Sequence, residues 1–438
     1  MFENATSWLA TATNSFEPGD TAWVMICAAL VLFMTPGLAL FYGGMVSIRN
    51  VLTMMMQNFV AIGVLTVVWV MVGYSIAFGS DNGFGFTGNL GLFGLNDLQN
   101  GPAPSLHVLQ PGVAIPALAF VAYQMMFAVI TPALITGAVA DRLKYAGWLV
   151  LIIVWSVLVY APVCHWLFSP GGWLTKWGAE DWAGGLVVHA SAGAAALAVM
   201  VVVGRRKNAD KENSPFSIPI VMIGVGILWF GWFGFNAGDG LAADGVAAQA
   251  LMNTAIGAAT GMIGWLLMEK LKTGKNTVLG GGCGAVAGLA TITPGAGYVH
   301  VWGALAIGLV AGIVCYLALH LKSWLHFDDA LDVIAVHFVG GVIGTLMVGL
   351  FGTSAVNQIG VDGLFHGGGF SLLGKQAVAT VCVVAFSFVL TWIIATIIDK
   401  TIGLRVDPAD EDHLDQVQQG QDAYDFAGLA QALKEDMR

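Results

Sequence analysis

The sequence predicts an all-α polytopic membrane protein of eleven transmembrane helices, and three observations predict it. Of its 438 residues 57% are hydrophobic and only 10% charged, with a mean hydropathy of +0.78, whereas an ordinary soluble domain is roughly a quarter charged. The apolar residues fall into eleven runs, each near the roughly 20 residues that cross a bilayer core. The basic residues alternate from loop to loop, as they do when one set of loops faces the cytoplasm.

The chain divides in order. Residues 1–20 are polar, hold no Lys or Arg and lack the basic start of a cleaved signal peptide; they read as an extracytoplasmic N-terminal segment. A transmembrane domain over 21–403 carries the runs 21–42, 51–78, 112–139, 146–168, 183–203, 216–237, 246–268, 277–293, 300–321, 330–351 and 376–398. Helices are the only open-ended segments that satisfy their own backbone in lipid. The glycine-rich run 277–293 also allows a broken or re-entrant helix. Residues 404–438 form an acidic, Gln-rich tail, whose composition alone fits a solvated, disordered segment.

Charge sets the orientation. Arg49, Arg142, Lys144, Arg205, Arg206, Lys207, Lys211, Lys270, Lys272, Lys275, Lys322, Lys400, Arg405, Lys434 and Arg438 fall on one side, and only Lys176 and Lys375 on the other. Fifteen of seventeen basic residues on one side fit an odd number of spans, N-terminus outside and C-terminus cytoplasmic. The net charge of −10 argues against a nucleic-acid partner, and much of it lies in the tail. Cys27, Cys164, Cys283, Cys315 and Cys382 show no metal-ligand spacing and read as small buried thiols. Most of the 58 glycines read as close helix contacts. Trp166, Trp173, Trp177 and Trp182 read as an outer interfacial belt.

Two stretches carry ionisable groups into apolar runs: Asp181-Trp-Ala-Gly-Gly-Leu-Val-Val-His189 and Asp332-Val-Ile-Ala-Val-His337. Such groups are costly in a membrane and mark function by default. The competing reading of each is a buried histidine bonded to backbone, and two in matching settings favour function. The fifth span enters from outside and the tenth from the cytoplasm, so spans 1–5 and 6–10 read as inverted five-helix repeats, an arrangement that puts a site near the midplane.

Leu40-Phe-Tyr-Gly-Gly44, Asp181-Trp-Ala-Gly-Gly185 with His189, Gly231-Trp-Phe-Gly-Phe-Asn-Ala-Gly238, Thr293-Pro294 and Asp332 with His337 together resemble the ammonium transporter (Amt/Mep/Rh) family, in its bacterial Amt branch. The match runs in order over nearly the whole chain. The resemblance implies a homotrimer in the bacterial cytoplasmic membrane, with a conduction path through each protomer, no cofactor, and no enzymatic activity. It makes His189 and His337 the pore histidines, Phe127 and Phe235 the stacked gate, Trp232 and Thr293 pore-lining residues, and Asp181 a structural acid beside the cation-recruiting vestibule. At that vestibule the sequence departs from the family twice. Phe168 stands where the family usually has tryptophan, three residues after a histidine resembling His165, and Asp239 replaces the usual serine.

The implied function is recruitment of ammonium, its deprotonation, passage of ammonia past the histidines and reprotonation inside, with the bilayer and the cation as partners. The tail resembles one that contacts the neighbouring subunit and the cytoplasmic PII signalling protein. Three rivals stay open. A channel for another small neutral solute and an ammonium receptor without transport share these features. A membrane redox enzyme using the histidines as haem or metal ligands would need further ligands or a cofactor motif, and the sequence supplies neither.

Overall fold

Eleven helices long and apolar enough to span a bilayer form among the described residues, and they coincide closely with the predicted runs. The structure is a computed structural model and describes residues 16–96, 98, 113–209 and 215–424. The helices are α1 (Pro18–Met45), α2 (Val51–Phe78), α3 (Ala117–Ala138), α4 (145–168), α5 (Gly185–Val203), α6 (Ile218–Gly240), α7 (Gly245–Thr273), α8 (Val278–Gly295), α9 (Val301–Trp324), α10 (Ile334–Phe351) and α11 (Ser371–Thr401). The glycine-rich run is a continuous α-helix, Val278–Ile292, closed by one 3-10 turn; it is neither broken nor re-entrant. Most of predicted segment 1–20, loop residues 99–112 and the end of the tail lie outside the described residues.

Small residues let these helices approach closely. α1 runs along α6, and α7 packs on α8 and α9. A Cβ added to Gly261 of α7 would lie 2.6 Å from the Gly284 carbonyl oxygen and 2.6 Å from the Gly288 Cα of α8, so only glycine permits that spacing. The same device joins α10 to α5: a Cβ at Gly341 would sit 2.6 Å from the Gly185 carbonyl oxygen.

Loop contacts fix the parity of the bundle. Arg206 of the α5–α6 loop pairs with Asp328 of the α9–α10 loop at 2.8 Å and with Asp141 of the α3–α4 loop at 2.9 Å. Asn50, between α1 and α2, donates to Asp141 at 2.7 Å. These loops share the basic face. On the opposite face, near the start of α1, Asp20 accepts from the Ala243 N–H of the α6–α7 loop. The start of α1 and the end of α11 therefore lie on opposite faces.

The tail is ordered through Tyr424, contrary to its solvated composition. It pairs with the α3–α4 loop through the Leu143–Arg405 bridge and a bond from the Val406 N–H to the Arg142 carbonyl. Asp415 is 1% exposed, and its two oxygens accept the Leu52 and Thr53 N–H groups at 3.0 and 2.7 Å, capping the start of α2. Two of its acids are taken up in this way, Asp415 by the start of α2 and Glu411, also buried, by Arg405 and the Lys207 N–H, while Asp407, Asp412 and Asp422 are exposed. The tryptophan belt is also only half correct. Trp177 is exposed, but Trp166 and Trp182 are buried, their indoles donating to the Phe86 and Asn236 carbonyls.

Candidate functional site

Both histidines sit in π-helical turns at the start of their helices, Gly185–Ala190 in α5 and Ile334–Val339 in α10. π-turns are rare and concentrate at functional positions. In α5 the wide turn begins at Gly184, whose φ of +109° suits glycine, and the His189 N–H reaches back five residues to the Gly184 carbonyl at 3.0 Å. Asp181 holds this turn in place. Its Oδ1 accepts the Gly184 and Gly185 N–H groups at 3.1 and 2.6 Å, and its Oδ2 accepts those of Leu186 and Val187 at 2.8 and 3.0 Å. Burial pushes the carboxyl up to about 6, and the four backbone donors oppose that rise.

The matching acid in the second half is Asp329, where Asp332 was expected. Asp329 accepts the Val333 and Ile334 N–H groups at 3.1 and 2.7 Å. Asp332, at φ +62°, turns away to pair with Lys322 at 2.7 Å. The signal was present in the spacing, because Asp181 precedes His189 by eight residues and Asp329 precedes His337 by eight.

Close packing of α5 on α10 brings the imidazoles together. Their Nδ1 atoms are 3.2 Å apart and the rings lie within 20° of parallel. One Nδ1 must donate and the other accept, so the contact suits two neutral rings of opposite tautomer, whereas two imidazolium rings would confront each other with donors. The Nε2 of His189 is buried without a hydrogen-bond partner in the protein. Both rings line a narrow cavity of about 10 Å3, walled by Met34, Leu38, Leu134, Leu228, Trp232 and Val286. That room suits about one water-sized molecule.

On the side away from the basic face, Phe127 and Phe235 close the cavity as a stacked pair, centroids 4.2 Å apart. The Phe235 ring is 6.1 Å from His189, and Trp232 stacks on His189 at 5.5 Å. The Thr293 hydroxyl accepts the Trp232 indole N–H at 2.9 Å; it fixes this wall from behind and is not among the residues lining the cavity.

Beyond the phenylalanines lies a recess of about 80 Å3 whose lining includes Phe120, Gln124, Phe168, Asp181, Asp239 and Tyr298. Phe168, Asp181 and Asp239 meet there as expected. Gln124 is a residue that sequence reasoning missed: its amide donates to Asp239 Oδ1 at 3.3 Å. Phe120, Gln124 and Phe127 recur at helical spacing on one face of α3, a signal the apolar run concealed. On the basic face a wider recess of about 430 Å3 is lined by Asp141, Arg206, Lys322, Asp328, Asp329 and Asp332, among others. Burial works against ionisation of Asp328 there, but Arg206 and Arg142 outweigh it and hold the carboxyl below its usual range. A polar recess, an aromatic constriction, an apolar cavity with two histidines and a second polar recess thus follow one another across the bundle. Apolar walls of this kind disfavour a charge at the centre, whereas the polar recesses at the ends hold groups that can meet one.

Comparison with known proteins identifies a family. The sequence model described as Ammonium Transporter Family matches residues 22–424. The chain is 47% identical over 434 residues to an ammonium transporter of Mycobacterium tuberculosis, covering 94% of this chain and 91% of that one. It is 42% identical over 410 residues to an ammonium transporter of Bacillus subtilis, covering 93% and 99%. Among solved structures it is similar to Mep2 of Candida albicans, with a TM-score of 0.85, 34% identity and 94% of each chain covered. It is also similar to a structure described as Sensor Amt Protein, with a TM-score of 0.80, 29% identity, and 90% of this chain and 96% of that one covered.

Proposed function

The chain belongs to the ammonium transporter family, and on that premise we propose that it moves ammonium nitrogen inward across a bacterial cytoplasmic membrane by passing ammonia through a dry pore. The single observation that carries this reading is the line from the Phe127–Phe235 stack to the His189–His337 pair in an apolar cavity of one-molecule width. Ammonium is recruited in the recess that holds Asp239, where the carboxylate supplies charge and the rings of Phe120, Phe168 and Tyr298 supply cation–π faces worth about 0.5–2 kcal/mol each. Asp181 supports the recess indirectly, because its oxygens are committed to the α5 backbone.

Past the phenylalanines the ion meets apolar walls that disfavour charge by several kcal/mol. It yields its proton before or at His189, ammonia passes along the paired rings, and reprotonation follows in the charged recess on the basic face. Imidazole is suited to the relay because it titrates near neutrality. Thr293 acts by fixing Trp232. The rest of the reading concerns assembly and orientation: a homotrimer with one path per protomer, residues 21–403 as the transmembrane domain, 1–20 outside, and 404–438 as a cytoplasmic regulatory tail that receives the PII protein. The excess of basic residues on one face supports this orientation; labelling from outside intact cells of a tag at residue 209 would reverse it.

The test is electrical. Ammonium pulses on protein-loaded solid-supported membranes should give currents that a neutral-solute control lacks, and His189→Ala and His337→Ala should each alter rate or selectivity in an intact protein. Wild-type rate and selectivity in both variants would remove the relay role. The similarity to the Sensor Amt Protein favours one second reading, a receptor that binds ammonium without moving it. Binding with no current and no uptake would select that reading.

A further inference from the structure

Two histidines that the pore does not use meet on the face away from the basic loops. His300 precedes α9 and His366 ends the short helix Leu364–His366, sixty-six residues later. Both are exposed, and neither imidazole has a hydrogen-bond partner among the described residues. Their ring centroids are 5.7 Å apart with the planes at 55°, unlike the near-parallel pore pair. They border an open recess of about 630 Å3, together with Gln249, Trp302, Phe351 and Phe365.

The distance is informative. Two imidazoles bound to one tetrahedral ion, each through a nitrogen about 2.0–2.1 Å from it, have centroids about 5.2 Å apart, rising to about 6.4 Å for a straight N–metal–N angle. The observed 5.7 Å lies inside that interval. Exposed imidazoles turn freely about their last torsion, so both rings can aim a nitrogen at a shared point without moving the backbone. A negative charge stands beside them. The Asp362 carboxylate, four residues before His366, accepts the Ser354 N–H at 2.8 Å and the Thr353 hydroxyl at 2.9 Å. No group of three or more His, Cys, Asp or Glu side chains able to hold a metal occurs among the described residues. The pair would therefore supply two positions and leave the others to water.

We infer that His300 and His366 form an outward-facing clamp for a borderline divalent transition cation, the class of Zn2+, Ni2+ and Cu2+, which prefers imidazole, and not for Mg2+ or Ca2+, which prefer oxygen. The backbone beside the clamp already joins the same two loops: Val299 bridges Gly352, and the Thr353 N–H donates to the Tyr298 carbonyl at 2.9 Å. Tyr298 and Ile359, from these loops, are walls of the outer recess. A bound cation therefore staples the rim of that recess.

The test uses full-length detergent-solubilised protein without a polyhistidine tag. Ni2+ and Zn2+ binding is measured by titration calorimetry in wild type, H300A, H366A, the double variant and the control H320A, which removes an exposed histidine near the opposite end of α9. The clamp predicts one saturable site per protomer that weakens at least about tenfold in either single variant, disappears in the double variant, survives in H320A and ignores excess Mg2+. A wild type that binds no Ni2+ or Zn2+, or a double variant with wild-type affinity, overturns it. Ammonium currents of the metal-free variants should match wild type, so a failure here is separable from a failure of the transport reading.

Discussion

Replacing Asp181 by Asn changes one oxygen into an amide that can only donate. Each Asp181 oxygen accepts two N–H groups, so whichever way the new amide turns, two buried donors of α5 face another donor. A buried group left unsatisfied costs about 1–3 kcal/mol, giving about 2–6 kcal/mol for D181N. Asp329 accepts one N–H on each oxygen, so D329N loses one bond and costs about 1–3 kcal/mol. Thermal unfolding of detergent-solubilised protein, followed by tryptophan fluorescence at neutral pH, should rank wild type above D329N and D329N above D181N. Ammonium flux should fall in D181N because the first turn of α5 carries His189. An undisturbed D181N, or a D329N as unstable as D181N, would refute the capping argument for the two π-turns.

Asp239→Ser should raise the half-saturating ammonium concentration more than it alters maximal current, with the deficit shrinking as salt screens the lost charge; unchanged half-saturation at low salt would leave Asp239 without a recruiting role. Glu180 offers a pH test, because burial pushes its carboxyl from 4.5 up to about 8, against the Val361 N–H and Lys375. Its folded-state value is the higher one, so ionisation costs stability as pH rises from about 4.5 through 8. Glu180→Gln retains an acceptor for Val361 and should gain at most about 4–5 kcal/mol over wild type near pH 9 relative to pH 5; a pH-independent difference would show that Glu180 ionises without penalty. Deleting 407–438 should change regulation or subunit coupling while the trimer persists, and undiminished binding of the PII protein would place its dock elsewhere.

The spans were legible because lipid imposes a length and an apolarity that no other context demands of so many consecutive residues. The histidines stood out because charge is scarce here. Asp329 was missed because proximity in sequence favoured Asp332, although the eight-residue spacing shared with Asp181 and His189 marked Asp329 as the acid that caps the helix. Gln124 was hidden by an apolar run read as lipid-facing or core. The tail misled for a different reason: composition measures affinity for water, but Asp415 and Glu411 find the Leu52, Thr53 and Lys207 N–H groups hundreds of residues away, and Glu411 also finds Arg405 within the tail. Trp166 and Trp182 failed similarly, since a belt is inferred from position and burial is decided by neighbours.

The Asp415 cap has a bearing on where this chain can be cut. A boundary drawn at residue 403 is reasonable in sequence, yet severing there strips α2 of the acceptors for its Leu52 and Thr53 N–H groups. A truncation study at that boundary would mix two effects, the missing end of the tail and a frayed second helix. Ending the chain after Tyr424 leaves the borrowed acceptors in place, and the single change Asp415→Ala removes them alone. Run side by side, those two proteins separate loss of the chain's end from loss of the helix cap, which the longer deletion confounds.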